Sequence, residues 1–172
     1  MKPNLKFGSP TTDELKMSSY PADANAPAVI LYKMTDVSYE IFNGNFKVIS
    51  DVRVKIKVLK PDGKDEANVE IPYVYDQIKI DARESVNGIK ATAYNLENDK
   101  VVKTNMTKDM IFTERIDKKN MLLKFTVPQV KVGTVIEYKY RLESSLYYTI
   151  DDWYAQTNIP TLYAEYHLVI PE

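Results

Sequence analysis

The sequence predicts an all-β fold: an antiparallel β-sandwich, immunoglobulin-like in type, with a short N-terminal arm. Three observations predict it. Apolar side chains recur at every second position through several segments, as they do when alternate residues of a strand face a core. Short polar turns separate those segments. No long stretch carries the 3.6-residue period of an amphipathic helix.

The clearest strand is "FKVISDVRVKIKVL". Phe46, Val48, Val52, Val54, Ile56 and Val58 share one parity. Lys47, Asp51, Arg53, Lys55 and Lys57 hold the other, and Ile49 is the exception. One face is therefore expected to be buried and the basic face wet. "KPDGK" follows, with Pro61 presetting φ and Gly63 tolerating a left-handed turn, and it predicts a hairpin. The expected return strand is "ANVEIPYVY".

The alternation recurs in "VIEYKYRLE", with Ile136, Tyr138, Tyr140 and Leu142 on one face and Glu137, Lys139, Arg141 and Glu143 on the other. It recurs in "TLYAEYHLVI", with Leu162, Ala164, Tyr166, Leu168 and Ile170 together. "AVILYKM" and "LLKFTVP" read as further strands, and "GIKATAYNLENDKVVKT" as a hairpin turning at Glu97-Asn98-Asp99. Seven or more strands of this kind imply a sandwich.

Helix is minor. "TTDELKM" offers Thr11 as an N-cap with Glu14 three residues on, a capping box. "MTKDMIF" predicts one turn starting at Thr107. "YPADANAPA" is linker-like. Residues 1–27 are therefore expected to form an arm and linker, and residues 28–172 the sandwich. The polar start, and an end two residues after a strand, are expected of a fragment of a larger multidomain protein.

The totals exclude several classes. Hydrophobic residues make up 44% and charged residues 27% of 172, a globular mix able to fill one core. A net charge of -1 gives no basic excess for nucleic acid. No apolar run reaches the roughly 20 residues of a membrane span. Cys is absent, so disulfides and thiolate metal sites are excluded. No cofactor is expected.

The candidate chemistry is thin. His167, the only His, falls on the polar parity of the last strand. No Cys is present and no Ser sits in a nucleophile-elbow pattern, so a surface His is the preferred reading. "PDGKDE" clusters Asp62, Asp65 and Glu66 without calcium-loop spacing, and reads as a solvated turn. Asp151 and Asp152 pair with Glu143 only if strand geometry brings them together, and capping by Asp is the simpler reading. The Arg53, Lys55 and Lys57 face reads as solvated.

The aromatic residues give the best binding signal. Trp153, Tyr147, Tyr148 and Tyr154 lie between strands, where flat rings form a stacking platform for a glycan or peptide. The preferred alternative is that they cap the sandwich end or meet another domain.

Several segments together carry a resemblance. They are "DELKMSSYPADANAPAVILY", "RVKIKVL", "VEIPY", "ATAYNLENDKVVKT", "KKNMLLKFTVPQVKVGTVIEYKYRLES" and "DDWYAQTNIPTLYAEYHLVIPE". From Asp13 to Glu172 the chain resembles the domain-of-unknown-function family three-eight-five-seven. The resemblance implies the N-terminal β-rich domain of an exported, Bacteroidetes-type protein, ahead of a transglutaminase-like (cysteine-peptidase-type) domain. Physically, Gly133 permits a tight turn, Trp153 is an apolar anchor, the Gln156 amide can satisfy backbone groups, and Pro160 breaks the loop before the last strand.

A transglutaminase-like core uses Cys, His and Asp, and this chain has no Cys. The expectation is thus a non-enzymatic accessory domain with a periplasmic or otherwise exported location. Its expected partners are the C-terminal domains of the same polypeptide. The alternative is a carbohydrate- or peptide-binding module. In either case Trp153, Tyr154, Gln156, Tyr147 and Tyr148 are the expected contact residues, and no catalytic residue is assigned.

Overall fold

A computed structural model describes residues 2–171. Among these, nine strands form two sheets. In chain order they are β1 (Ala28–Phe42), β2 (Asn45–Val58), β3 (Asn68–Val74), β4 (Glu84–Glu97), β5 (Lys100–Asn105), β6 (Ile111–Arg115), β7 (Asn120–Thr126), β8 (Val135–Ser144) and β9 (Ala164–Val169). The larger sheet has the order β5-β4-β8-β2-β1-β9 and the smaller β3-β7-β6. All pairings are antiparallel except β1 with β9, which is parallel. The all-β sandwich expected from alternation is the fold observed.

The inner core follows the apolar parities. Val54, Ile56 and Val58 of β2, Ile136 of β8, and Ala91 and Ala93 of β4 face Val69, Ile71, Leu123 and Phe125 of the smaller sheet. Fully burying each larger aliphatic side chain contributes about 1.5–3 kcal/mol. Tyr138 packs its ring edge-on against Phe125, with centroids 5.9 Å apart.

Two local signals act as read. Thr11 caps α1 (Thr12–Lys16), and the reciprocal bond from the Thr11 N–H to Glu14 completes the capping box. Asn98 and Asp99 both take positive φ, 50° and 58°, as the two-residue turn joining β4 to β5 requires. A second such turn, Asn43-Gly44, joins β1 to β2. It makes β1 longer than "AVILYKM" alone.

The expected hairpin at "KPDGK" is corrected. Pro61–Ala67 is a 3₁₀ segment, and β3 pairs with β7 in the other sheet. The turn signal is local, whereas the choice of strand partner is not. Here Gly63 is buried against β1, and the Leu59 and Lys60 N–H groups both donate to the Pro27 carbonyl at 2.9 Å. That contact directs the chain across the sheet end.

The basic face of β2 is a second correction. Lys55, Lys57 and the facing Glu137 of β8 are wholly buried. Residues 3–20 lie over this part of the outer face, so the large sheet is covered on both sides there. Leu15 and Tyr94 close a second apolar cluster there, with Val29, Leu31, Leu59 and Val135. The Lys55 ammonium donates to the Asn4 carbonyl at 2.7 Å and lies 3.3 Å from Glu14 and 3.8 Å from Glu137. Glu137 in turn accepts from the Gly8 N–H at 2.7 Å and from the Tyr32 hydroxyl at 2.6 Å. Lys57 donates to the Leu15 and Gly133 carbonyls. Each buried charge is thus paired or hydrogen-bonded, the condition for tolerating it.

Candidate functional site

The segment from 145 to 163 carries the aromatic residues singled out in the sequence. It leaves β8, crosses the inner face of β1 beyond the smaller sheet, and feeds β9. Main-chain bonds seat its end: Ile30 N–H donates to the Pro160 carbonyl at 2.8 Å, and Lys33 N–H to the Tyr163 carbonyl at 2.9 Å. Parallel pairing of β9 with Lys33–Ser38 of β1 then follows. Such pairing needs a crossover connection, which this segment supplies.

Trp153 fastens the middle of the crossover. Its indole N–H donates to the Thr35 hydroxyl at 3.0 Å, and its ring tilts against Tyr166 with centroids 5.4 Å apart. The Lys33 ammonium sits 5.4 Å from the Trp153 ring centre and donates to the Tyr154 carbonyl at 2.8 Å. Trp153 is half-buried, while the Tyr154 ring is exposed. Gln156 is exposed, and its amide makes no hydrogen bond among the described residues.

Tyr147 and Tyr148 form a different group. Tyr147 packs on Phe46 of β2 at 6.0 Å, and Tyr148 meets Tyr147 edge-on at 5.6 Å. Phe46 is the register partner of Ile41, whereas Trp153 is held at Thr35, six residues back along β1. At about 3.3 Å per residue the two groups lie roughly 20 Å apart. The five residues expected at one site therefore divide between two.

The Tyr147 group belongs to an exposed apolar surface at the β1–β2 tip. Ile41 is 68% exposed and Tyr148 72%, with Phe46 and Tyr147 also exposed, while Phe42, 61% exposed, turns to the opposite face beside Lys47. β9 runs parallel to β1 toward this tip, and its exposed Val169 pairs with Ser38. The sequence signal for the strand half of this surface was available in the Asn-Gly turn flanked by Ile41, Phe42 and Phe46, and was missed.

The acid and imidazole candidates do not assemble. His167 is exposed, with Nδ1 3.6 Å from the Asp36 carboxylate. Glu143 lies 3.4 Å from the Lys47 ammonium, while Asp151 and Asp152 are exposed in the crossover. Among the described residues no group of three His, Cys, Asp or Glu side chains is placed to hold a metal ion. No helix among them is long and apolar enough to cross a membrane.

The outer face carries one further concavity, about 590 Å³, where the arm stops covering it. Asp36, Asp51, Arg53, Lys139 and Arg141 line it, with Asn87 and Gly88 at a bulge in β4.

Comparison with known proteins gives one family. The family model described as a domain of unknown function with a solved structure (DUF3857) matches residues 45–172. No curated protein matches the chain. Among solved structures, one from Parabacteroides distasonis, described as "a putative protease", aligns with a TM-score of 0.51 and 9% identity. The alignment covers 69% of this chain but 23% of that one, so this chain corresponds to less than a quarter of its length. At that identity the likeness is one of fold.

Proposed function

This chain belongs to the DUF3857 family of domains of unknown function, and from that premise we propose that it is a non-catalytic accessory domain of a longer, exported transglutaminase-like protein. Its task is to dock a neighbouring domain of the same polypeptide. The observation that carries this reading is the apolar surface of Ile41, Phe46, Tyr147 and Tyr148 at the tip toward which β9 runs. A domain following β9 meets that surface first. Aromatic rings with a wet rim are the side chains that anchor such contacts. This chain has no Cys, and on this reading the nucleophile of a cysteine-type reaction belongs to another part of the polypeptide.

Sedimentation velocity tests the reading. This chain is mixed with the separately produced remainder of the full-length protein. A complex is expected, weakened when Phe46→Ser and Tyr148→Ser are combined. No complex, or one indifferent to that pair, refutes domain docking. Isothermal titration of the chain with glycans and peptides separates the rival. A saturable heat lost in Tyr148→Ser or Tyr154→Ser would make the aromatic residues a ligand platform instead.

A further inference from the structure

The uncovered part of the outer face has an unbalanced row of charge. Arg53 of β2 is the direct register partner of Lys139 of β8, and Lys139 is the direct partner of Lys90 of β4. Like charges placed directly opposite on neighbouring strands repel. One carboxylate answers this row: Asp36 lies 3.1 Å from Arg53. Among the described residues neither Lys139 nor Lys90 has an ion pair, and the neighbour of the Lys139 ammonium is the Phe7 ring, 5.0 Å from its centre.

Arg53 and Lys139 of this row line the concavity described above. Asp51 holds Arg141 through two bonds of 2.8 and 2.7 Å, so this guanidinium is fixed at the wall. Between Asn87 and Lys90 the β4 ladder shifts register, and Gly88 takes a φ of 62° with open space around it. A bulge places its extra residue outside the ladder and re-aims its neighbours. The concavity thus joins uncompensated cations to carboxylate and amide acceptors that keep spare lone pairs.

We propose that this concavity binds a small hydroxylated ligand through an oxyanion. Lys139 and Arg53 hold the oxyanion, which neutralises the row. Asp36, Asp51 and Asn87 accept its hydroxyl groups. A sugar carboxylate and a sugar phosphate share this chemistry.

Amide NMR of the whole chain tests the site, with glucuronate, glucose 6-phosphate, glucose and acetate as separate titrants. The acidic sugars should move the Asn87, Gly88, Lys139 and Arg141 amides saturably. Glucose and acetate should bind about tenfold more weakly, the scale of one charged hydrogen bond. Tighter binding of glucuronate or of the phosphate identifies which oxyanion the site takes. Lys139→Gln should weaken the acidic sugars by about tenfold or more, yet melt at or above the wild-type temperature, because it removes repulsion. Acidic sugars that leave these amides unmoved overturn the proposal. So do equal affinities for glucose and glucuronate, equal affinities for acetate and glucuronate, or a Lys139→Gln variant that binds normally or melts lower.

Discussion

The Lys55 ammonium lies 3.3 Å from the Glu14 carboxylate, and both side chains are wholly buried. One belongs to β2 and the other to the arm, so the contact ties the first turn of α1 to the middle of the large sheet. Glu14 also accepts from the Asn4 and Thr11 N–H groups at 2.9 and 2.7 Å. Removing one partner leaves an uncompensated buried charge. Lys55→Met should cost about 3–5 kcal/mol. Adding Glu14→Gln to it should cost less than the sum of the two single changes, since the pair forms one network. Urea denaturation of the four proteins measures this, and strict additivity would show that the arm is not held by the pair.

Gly63 approaches the chain at Pro27 more closely than any side chain permits. A Cβ at this position would stand 2.1 Å from the Pro27 carbonyl oxygen, a backbone atom that cannot step aside alone. Gly63→Ala should therefore destabilise by about 2 kcal/mol or more, the overpacking range. Gly44→Ala is the control. It has open space but a φ of 79°, so its cost should be about 1 kcal/mol. Equal thermal shifts for the two variants would refute the close approach.

These contacts mark where sequence reading stops. Alternation in β2 and β8 identifies the strands and the inner core, because period two is local and each inner residue is apolar. The capping box at Thr11 and the Asn98-Asp99 turn are equally local. The burial of Lys55, Lys57 and Glu137 is not. A charge on the polar parity reads as wet, and what covers these three is an arm some 40 residues away in the chain from Lys55. The path of β3 to the second sheet and the parallel placement of β9 are also set by distant partners. That the expected contact residues fall into two groups was not legible, since their spacing depends on where the crossover meets β1.

The alkaline limb of stability has two opposing causes. Burial lowers the Lys57 ammonium from 10.5 to about 8. The unfolded chain therefore holds this proton over a window where the folded chain has released it, and stability gains as pH rises from about 8 to 10.5. Tyr140 works the other way: burial raises its hydroxyl from 10.0 to about 12. Its contribution is present below pH 10 and is lost between about 10 and 12. Burial, then the neighbouring Glu137, raises the Tyr32 hydroxyl well above its ordinary value and adds to that loss. The urea midpoint of Lys57→Met should thus fail to gain over pH 8 to 10, while Tyr140→Phe should lose less than wild type above pH 10. Parallel pH profiles for all three proteins would exclude both assignments.

Trp153 and Thr35 join the crossover to β1 by a single side-chain hydrogen bond of 3.0 Å. The bond is half-buried and contributes about 1 kcal/mol in all, the usual net value. Thr35→Val keeps the shape and removes the acceptor. Trp153→Phe removes the donor and part of the ring that tilts on Tyr166. If this bond seats the crossover, the double variant should be barely less stable than Trp153→Phe alone, because Thr35→Val has then nothing further to remove. If the crossover is seated by its main-chain bonds to Ile30 and Lys33 alone, Thr35→Val should cost the same in either background. Chemical denaturation followed by circular dichroism reads the difference without relying on the indole itself.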